Sequence, residues 1–258
     1  MPSCSAAASR RAGGVDGIGY KLPLLRLLKP MPLSFSDLDL VIFDCDGVLI
    51  DSEIIVFRIH ADALSEAGYP ITDDDVLRRF TGMSDASMYA TIEREWGRSL
   101  PADHDTRVRE RVAAAYRTDL AAIPGVADAI DRIGTTVPRC VASSSTPEKI
   151  RFGLELVGLY GRFDPRHVFS ATMVARGKPA PDLFLFAAER MGAAPVRCVV
   201  IEDSVAGVQA ATAAGMRVLG FHGGGHCGPG HAERLLAAGA AAAFADMAEI
   251  PRLLAAGD

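Results

Sequence analysis

The sequence predicts an α/β protein in which a parallel β-sheet is covered by helices on both faces. Short apolar runs with the composition of buried strands recur along the chain, and amphipathic helical patterns separate the later ones. Such alternation is typical of βαβ units, whose parallel strands are joined by helical crossovers. Two of the runs end in acidic residues, at the position where open sheets of this kind bind ligands. We therefore expect a Rossmann-like, doubly wound sheet with a site at the carboxyl ends of its strands.

The predicted elements follow one another in the order that such a sheet requires. Pro124 and Gly125 precede an apolar periodic segment, and we expect a helix to begin there and lead into the second strand. The predicted strands are residues 40–44, 139–143, 167–170, 198–202 and 217–221, and later helices are predicted near 147–158, 181–192 and 204–214.

The first two predicted strands are separated by a segment that is too long for a single crossover. Residues 54–122 are poor in strand patterns, helix-like in periodicity and interrupted by Gly and Pro. We interpret this segment as an inserted cap of four or five helices. The chain then divides into an α/β core at residues 37–53 and 123–258 and a helical cap at residues 54–122.

Residues 1–36 differ in composition from the rest of the chain. They contain five basic residues and one acid, Asp16, together with many Ser, Ala and Gly. This composition resembles an organellar transit peptide, but it also fits a start codon assigned too early, with Met31 as the natural start. We favour the second interpretation because the rest of the sequence is rich in Ala and Arg, in a bacterial style. In either case we expect a poorly ordered segment that the fold does not need.

The composition argues against several classes of function. The net charge of -5 gives no reason to expect nucleic acid or an anionic membrane surface as a partner. The longest apolar candidate, residues 235–245, is about eleven residues long and mostly Ala, which is too short to span a bilayer. The five cysteines are odd in number and unpatterned, as in reduced proteins without disulfides. We expect a cytoplasmic monomer or weak homodimer that acts on a small molecule.

The most distinctive residues follow the first predicted strand. Asp44 and Asp46 stand two residues apart directly after an apolar run, and Gly47 comes next. Two carboxylates at this spacing repel each other, so their pKa values should separate and permit different roles. One can stay ionised as a nucleophile and metal ligand, while the other carries a proton for a leaving group.

Three further groups of residues at later strand ends or loops have a related chemistry. Ser143 and Ser144 follow the second strand, where a hydroxyl and backbone N–H groups can bind phosphoryl oxygens. Lys178 is one of four lysines in a chain with 23 arginines, which indicates a position that needs a compact ammonium. Glu202 and Asp203 end another apolar run, and neighbouring carboxylates suit Mg²⁺.

Taken in order, these four groups resemble the motifs of the haloacid dehalogenase (HAD) superfamily, in the branch with phosphatases and β-phosphoglucomutase-like enzymes. The resemblance implies that Asp44 attacks phosphorus and forms an aspartyl-phosphate. It implies that Asp46 is the general acid and then the base that activates water. Ser143 and the backbone of Ser144 would bind the phosphoryl group, whose charge Lys178 would neutralise.

The same resemblance implies a Mg²⁺ cofactor and a cap that closes over the site. Asp203 would bind the metal directly and Glu202 directly or through water. Asp44 would contribute a side-chain oxygen and Asp46 its backbone carbonyl. Cap closure excludes water and helps to select the substrate. The loop with Thr81 and Gly82 is our candidate for the part of the cap that sets substrate specificity.

Two other activities of the superfamily fit this sequence poorly. Dehalogenases lack the second acid of the first motif, whereas Asp46 is present here. Phosphonate-cleaving relatives use a cap lysine as a Schiff base, but no lysine occurs between Lys29 and Lys149.

A mutase of the β-phosphoglucomutase type fits less well than a phosphatase. Such mutases carry a histidine where this chain has Val56, and basic residues around the cap glycine that matches Gly82. Here those flanking positions are Thr81 and Asp85, and Asp85 would repel a second phosphate group. We expect hydrolysis of a sugar, sugar-acid or polyol phosphate. The alternatives are a phosphosugar mutase and a non-catalytic binding protein with the same fold.

A glycine-rich loop after the last predicted strand contains several potential ligands for a transition metal. They are His222, His226, Cys227 and His231. The glycines favour a flexible loop with exposed histidines over a metal site. A role beside the cap or the substrate stays open.

Overall fold

A computed structural model describes residues 37–81 and 83–255 of the chain. The expectations for residues 1–36 and for Gly82 lie outside these residues. Within the described ranges six strands form one sheet in which all neighbours are parallel. The strands are β1 (Leu40–Phe43), β2 (Arg139–Ser143), β3 (Val168–Ser170), β4 (Cys198–Glu202), β5 (Arg217–Phe221) and β6 (Ala242–Phe244), and their order across the sheet is β3-β2-β1-β4-β5-β6.

Helices cover both faces of this sheet, as expected for a doubly wound fold. Successive residues of β1 point to opposite faces, so Val41 and Phe43 pack in one apolar cluster and Leu40 and Ile42 in the other. Because both faces are buried, the central strands are continuous apolar runs with no polar alternation. The helices around the sheet are α5 (Val126–Gly134), α6 (Pro147–Leu156), α7 (Asp182–Met191), α8 (Val205–Ala213), α9 (His231–Ala238) and α10 (Ile250–Ala255).

The described part of the chain between β1 and β2 holds four helices before α5, within the predicted number of four or five. They pack through their own apolar clusters, in which Phe57, Leu64 and Ile92 are buried. Side-chain caps set some of their starts: Thr72 forms a capping box with Asp75. The four helices are α1 (Glu53–Glu66), α2 (Asp73–Phe80), α3 (Asp85–Trp96) and α4 (His104–Asp119).

The predicted strands are all present, with ends that differ by one residue in two cases. β1 ends at Phe43, before Asp44, and β3 begins at Val168. Strand β6 was not predicted, and it lies in the Ala-rich segment at the edge of the sheet. No helix in the described ranges is long and apolar enough to cross a membrane.

Candidate active site

The order of the strands brings the predicted site residues to one edge of the sheet. β1 lies between β2 and β4, and Phe43 is paired with Val141 on one side and Ile201 on the other. The residues just beyond these pairs therefore lie side by side at the carboxyl ends of three strands. They are Asp44 after β1, Ser143 at the end of β2, and Glu202 and Asp203 at and after the end of β4.

Lys178 joins this edge from the loop before α7. Its Nζ donates a hydrogen bond of 2.8 Å to Asp44 Oδ1 and a second one to Glu202 Oε1. Only 4% of the Lys178 side chain is exposed. Burial alone would lower the pKa of Lys178, but the two carboxylates raise it above its ordinary value. The ammonium is therefore held in its charged form between Asp44 and Glu202.

Asp44 lies in a strongly perturbing environment. Burial raises its pKa well above the ordinary value, although the charge of Lys178 acts in the opposite direction. Glu202 and Asp203 add to the increase because they are like charges. A further cation at this place would stabilise the ionised form of Asp44, which is the form that a nucleophile needs.

Asp44, Glu202 and Asp203 form a group of oxygen donors suited to a hard divalent cation. One carboxylate oxygen from each lies within 4.8 Å of the other two, and all three residues are buried. Glu202 can lie this deep because α8 carries Gly207 beside it: a Cβ there would be 1.7 Å from Glu202 Oε1. The other Glu202 oxygen accepts bonds from the N–H and hydroxyl of Ser204. An oxygen-only donor set of this kind fits Mg²⁺.

Asp46 has a different environment from Asp44. Its Oδ1 accepts a 2.7 Å bond from the hydroxyl of Ser52, and its Oδ2 accepts one of 2.7 Å from Ser145. Lys149 Nζ lies 3.8 Å from Oδ1. Burial acts to raise the pKa of Asp46, but Lys149 and the two hydroxyls together lower it below the ordinary value. The pKa values of the two aspartates are thus shifted in opposite directions. The sequence predicted that they would separate, but the shifts are the reverse of the implied roles: the pKa of Asp44, the expected ionised nucleophile, is raised, and the pKa of Asp46, the expected acid, is lowered.

Ser143 is buried behind this aspartate. Its hydroxyl accepts a bond of 3.1 Å from the backbone N–H of Ser145 and lies 3.5 Å from Asp46 Oδ2. Ser144 is exposed at the start of the following loop. Thr81 is exposed at the end of α2, where its hydroxyl donates to the carbonyl of Leu77. A substrate-binding role for Ser144, Thr81 and Gly82 stays a prediction.

Three contacts of Asp46 were not predicted from the sequence: those with Ser52, Ser145 and Lys149. The residue that caps the start of α6 is Thr146, whose hydroxyl accepts the N–H of Lys149. The hydroxyl of Ser145 is therefore available to Asp46. The one signal for Lys149 was the scarcity of lysine in the chain.

The expectation of an exposed histidine loop was wrong for two of its members. His226 and His231 are buried, with 5% and 7% of their surface exposed. Both contact Asp203, whereas His222 is half-buried elsewhere in the loop.

A parallel sheet that presents buried carboxylates and a lysine at its carboxyl edge defines an α/β protein with a charged site where such sheets bind ligands. The chain belongs to the haloacid dehalogenase-like hydrolases, because residues 38–215 match the model of that family. The resemblance seen in the motifs is thereby confirmed.

Individual relatives agree with this assignment. The chain is 33% identical to 6-phosphogluconate phosphatase from Escherichia coli K12 over 187 residues, which are 72% of this chain and 83% of the relative. A haloacid dehalogenase-like protein of unknown function from Agrobacterium tumefaciens has a similar structure, with TM-score 0.78, 41% identity and coverage of 84% and 98%. The structure of a HAD family hydrolase from Deinococcus radiodurans, solved with bound phosphate and sodium, is also similar, with TM-score 0.73 and 34% identity. The match covers 85% of this chain and 96% of that one.

Proposed function

We propose that this chain is a Mg²⁺-dependent phosphatase that hydrolyses a sugar, sugar-acid or polyol phosphate through an aspartyl-phosphate on Asp44. The observation that carries the proposal is the contact of Lys178 with Asp44 and Glu202 at the carboxyl edge of the sheet. This arrangement provides a buried carboxylate on Asp44 and a fixed cation on Lys178. A second acid, Asp46, follows Asp44 by two residues and has its own hydrogen-bond partners. The similarity to 6-phosphogluconate phosphatase supports the choice of a small phosphorylated metabolite.

The first step is the transfer of the phosphoryl group to the enzyme. Asp44 attacks phosphorus, the bond between phosphorus and the ester oxygen breaks, and a proton from Asp46 passes to the departing alkoxide. Lys178 stabilises the charge on the transferring group, and the hydroxyl of Ser143 helps to orient it. Asp46 must be protonated for this step. The negative charge of the incoming phosphate would raise the pKa of Asp46 and so favour that form.

The second step releases phosphate and restores the enzyme. Asp46, now ionised, takes a proton from a water molecule that attacks the aspartyl-phosphate, and the carboxylate of Asp44 leaves. The contacts with Lys149 and Ser145 lower the pKa of Asp46. They therefore stabilise the ionised form that Asp46 takes once it has given its proton to the alkoxide.

The residues of the site fit a bound Mg²⁺. The side chains of Asp44, Asp203 and Glu202 would hold the ion, together with the backbone carbonyl of Asp46. When bound, the ion supplies positive charge that offsets the repulsion between Asp44 and the phosphate dianion. The three buried carboxylates outnumber the two basic groups that contact them, Lys178 and His226, which favours a further cation at this place.

Removal of Mg²⁺ should stop turnover. We expect phosphate release to fall to background in the presence of EDTA and to return when Mg²⁺ is added in excess. The assay follows inorganic phosphate over time with a phosphorylated metabolite that the wild type hydrolyses. Full activity after exhaustive chelation would contradict the metal part of the proposal.

Replacing Asp46 by asparagine should slow both steps. The amide introduced by Asp46→Asn can neither give a proton to the alkoxide nor take one from water, so we expect kcat to fall by about 10²–10⁴-fold. Rapid-quench mass spectrometry would measure whether the phosphorylated enzyme forms and decays. A variant with an unchanged rate would exclude Asp46 as the acid and base.

A phosphosugar mutase is the alternative enzyme, and the structure gives one reason to disfavour it. Asp85 is held by the buried His60, with Nε2 of the histidine 3.5 Å from Asp85 Oδ1. This contact lowers the pKa of Asp85, so an ionised acid stands at a sequence position where the resemblance implies a basic residue in mutases.

The deciding test is a panel of phosphorylated metabolites assayed with Mg²⁺ for both free phosphate and isomerised product. Release of phosphate from a few sugar, sugar-acid or polyol phosphates supports the proposal. An isomerised phosphosugar without free phosphate would favour the mutase, and no turnover at all would favour a binding protein. A cytoplasmic location, a monomeric or weakly dimeric state and closure of helices α1–α4 as a cap stay predictions.

A further inference from the structure

The loop between β5 and α9 brings two buried imidazoles onto the same residue, Asp203. His226 Nε2 lies 2.8 Å from Asp203 Oδ2, and His231 Nε2 lies 2.6 Å from the backbone oxygen of Asp203. A carboxylate or carbonyl oxygen only accepts hydrogen bonds, so each Nε2 carries a proton and donates it. Asp203 is therefore held at two places, through its side chain by His226 and through its backbone by His231.

His231 is itself fixed on its other side. Its Nδ1 accepts a hydrogen bond of 3.1 Å from the guanidinium of Arg234, one turn further along α9. With one nitrogen donating and the other accepting, a single tautomer satisfies both contacts. The backbone of Asp203 is thus tied to the start of a helix.

Two glycines, Gly47 after β1 and Gly224 in the loop itself, allow His226 to approach so closely. A Cβ on Gly47 would lie 2.0 Å from Asp203 Oδ2 and 2.9 Å from His226 Cε1, and a Cβ on Gly224 would lie 2.9 Å from the same ring atom. The backbone N–H of Gly225 donates 3.0 Å to Asp51 Oδ1, which joins the loop to the segment after the nucleophile. The glycine run is explained by this close packing, without invoking flexibility.

We propose that His226 is a positioning residue that fixes the carboxylate of Asp203 as a metal ligand. The bond to one oxygen of Asp203 restrains the carboxylate, and an oxygen of Asp203 then stays within 4.8 Å of those of Asp44 and Glu202. Hydrogen bonds to ligating carboxylates orient them, and their loss typically weakens metal binding. This inference rests on the Mg²⁺ site of the proposed function.

Direct Mg²⁺ binding by the full chain tests the inference, measured by calorimetry after chelation and dialysis. His226→Leu removes the donor, whereas His226→Gln keeps a neutral donor at a similar reach. His222→Gln is the matched control, because this histidine belongs to the same loop and has no contact with Asp203 among the contacts that the structure describes. Asp203→Asn tests the metal site itself.

We expect His226→Leu to raise the Mg²⁺ dissociation constant by about 10–100-fold, with a smaller increase for His226→Gln. The Mg²⁺ concentration for half-maximal activity should rise in parallel, and kcat at saturating Mg²⁺ should recover to near the wild-type value. Thermal melting checks that each variant is folded. If His226→Leu is not folded, the Mg²⁺ affinity of His226→Gln decides the test.

The controls separate two kinds of failure. Unchanged Mg²⁺ affinity in the folded His226 variants, with binding lost in Asp203→Asn, would overturn the positioning role and leave the metal site intact. Unchanged affinity in Asp203→Asn as well would count against the metal site. A low kcat that saturating Mg²⁺ does not restore would assign His226 a role other than positioning.

Discussion

The Asp44→Asn variant is expected to lose phosphate release by at least about 10⁴-fold in kcat, which is the scale of loss when a covalent nucleophile is removed. An amide oxygen is a much weaker nucleophile than a carboxylate, and the aspartyl-phosphate could not form. Mass spectrometry after rapid acid quench should detect a phosphorylated enzyme in wild type and none in the variant.

The fold of Asp44→Asn should remain intact, for a reason that the site geometry supplies. Burial raises the pKa of Asp44, so holding a negative charge there costs free energy in the folded state. Asparagine has nearly the same shape, carries no charge, and its oxygen can still accept the bond from Lys178. We therefore expect a free energy of unfolding equal to or higher than that of wild type.

Asp39→Asn is the matched control for this variant. Asp39 precedes β1 at the opposite end of the strand, where it pairs with Arg197 at 2.9 Å on the surface. Its replacement should leave kcat unchanged. Near-normal turnover by folded Asp44→Asn would remove Asp44 as the nucleophile and, with it, the proposed mechanism.

The central strands could be predicted because burial on both faces leaves a local signature in the sequence. β1 is fully buried and appears as an uninterrupted apolar run, and β4 is buried and apolar up to Glu202 at its end. β6 has no such signature. It consists of Ala242, Ala243 and Phe244, and alanine has little preference for strands. Its position is set by pairing with β5, a contact that local composition does not record.

The candidate site divides in the same way. Asp44, Ser143 and Glu202 could be placed together because each ends a strand, and parallel strands align their carboxyl ends. Ser145 could not be placed with Asp46 in this way, because it lies beyond the end of β2 and a serine before a helix has a capping role as its alternative. The contact of His226 with Asp203 could not be predicted, because the sequence of a glycine-rich loop does not reveal whether the loop is exposed or packed.

The second large effect is expected for Lys178→Met. Removing one partner of a buried ion pair leaves uncompensated charge, which typically costs about 3–5 kcal/mol. Methionine can fill the space of the lysine stem beside Phe184, whose ring lies 5.1 Å from Nζ. The loss of stability would then come chiefly from Asp44 and Glu202 losing their ammonium. We also expect kcat of the folded variant to fall by about 10²–10³-fold, because the transferring phosphoryl group loses a fixed cation.

Lys149→Met is the matched control, measured like Lys178→Met by denaturant unfolding in the presence of chelator. The Lys149 side chain is 41% exposed and its Nζ lies 3.8 Å from Asp46 Oδ1, so water screens this pair more than it screens the buried contacts of Lys178. We expect this variant to lose less than about 1 kcal/mol. Equal losses in the two lysine variants would show that burial of Lys178 between the carboxylates is not what makes it important.

The pH dependence of Lys178→Met identifies the origin of its instability. Burial already raises the pKa of Asp44, and Lys178 opposes the rise. Without the ammonium the folded-state pKa moves further up, so the folded variant binds a proton that the unfolded chain has released. Stability then increases as the pH falls, between the raised pKa of Asp44 and its ordinary value in the unfolded chain. The deficit against wild type should therefore shrink as the pH falls from above the folded-state pKa of Asp44 in the variant to below that in wild type, whereas a packing defect would give the same deficit throughout.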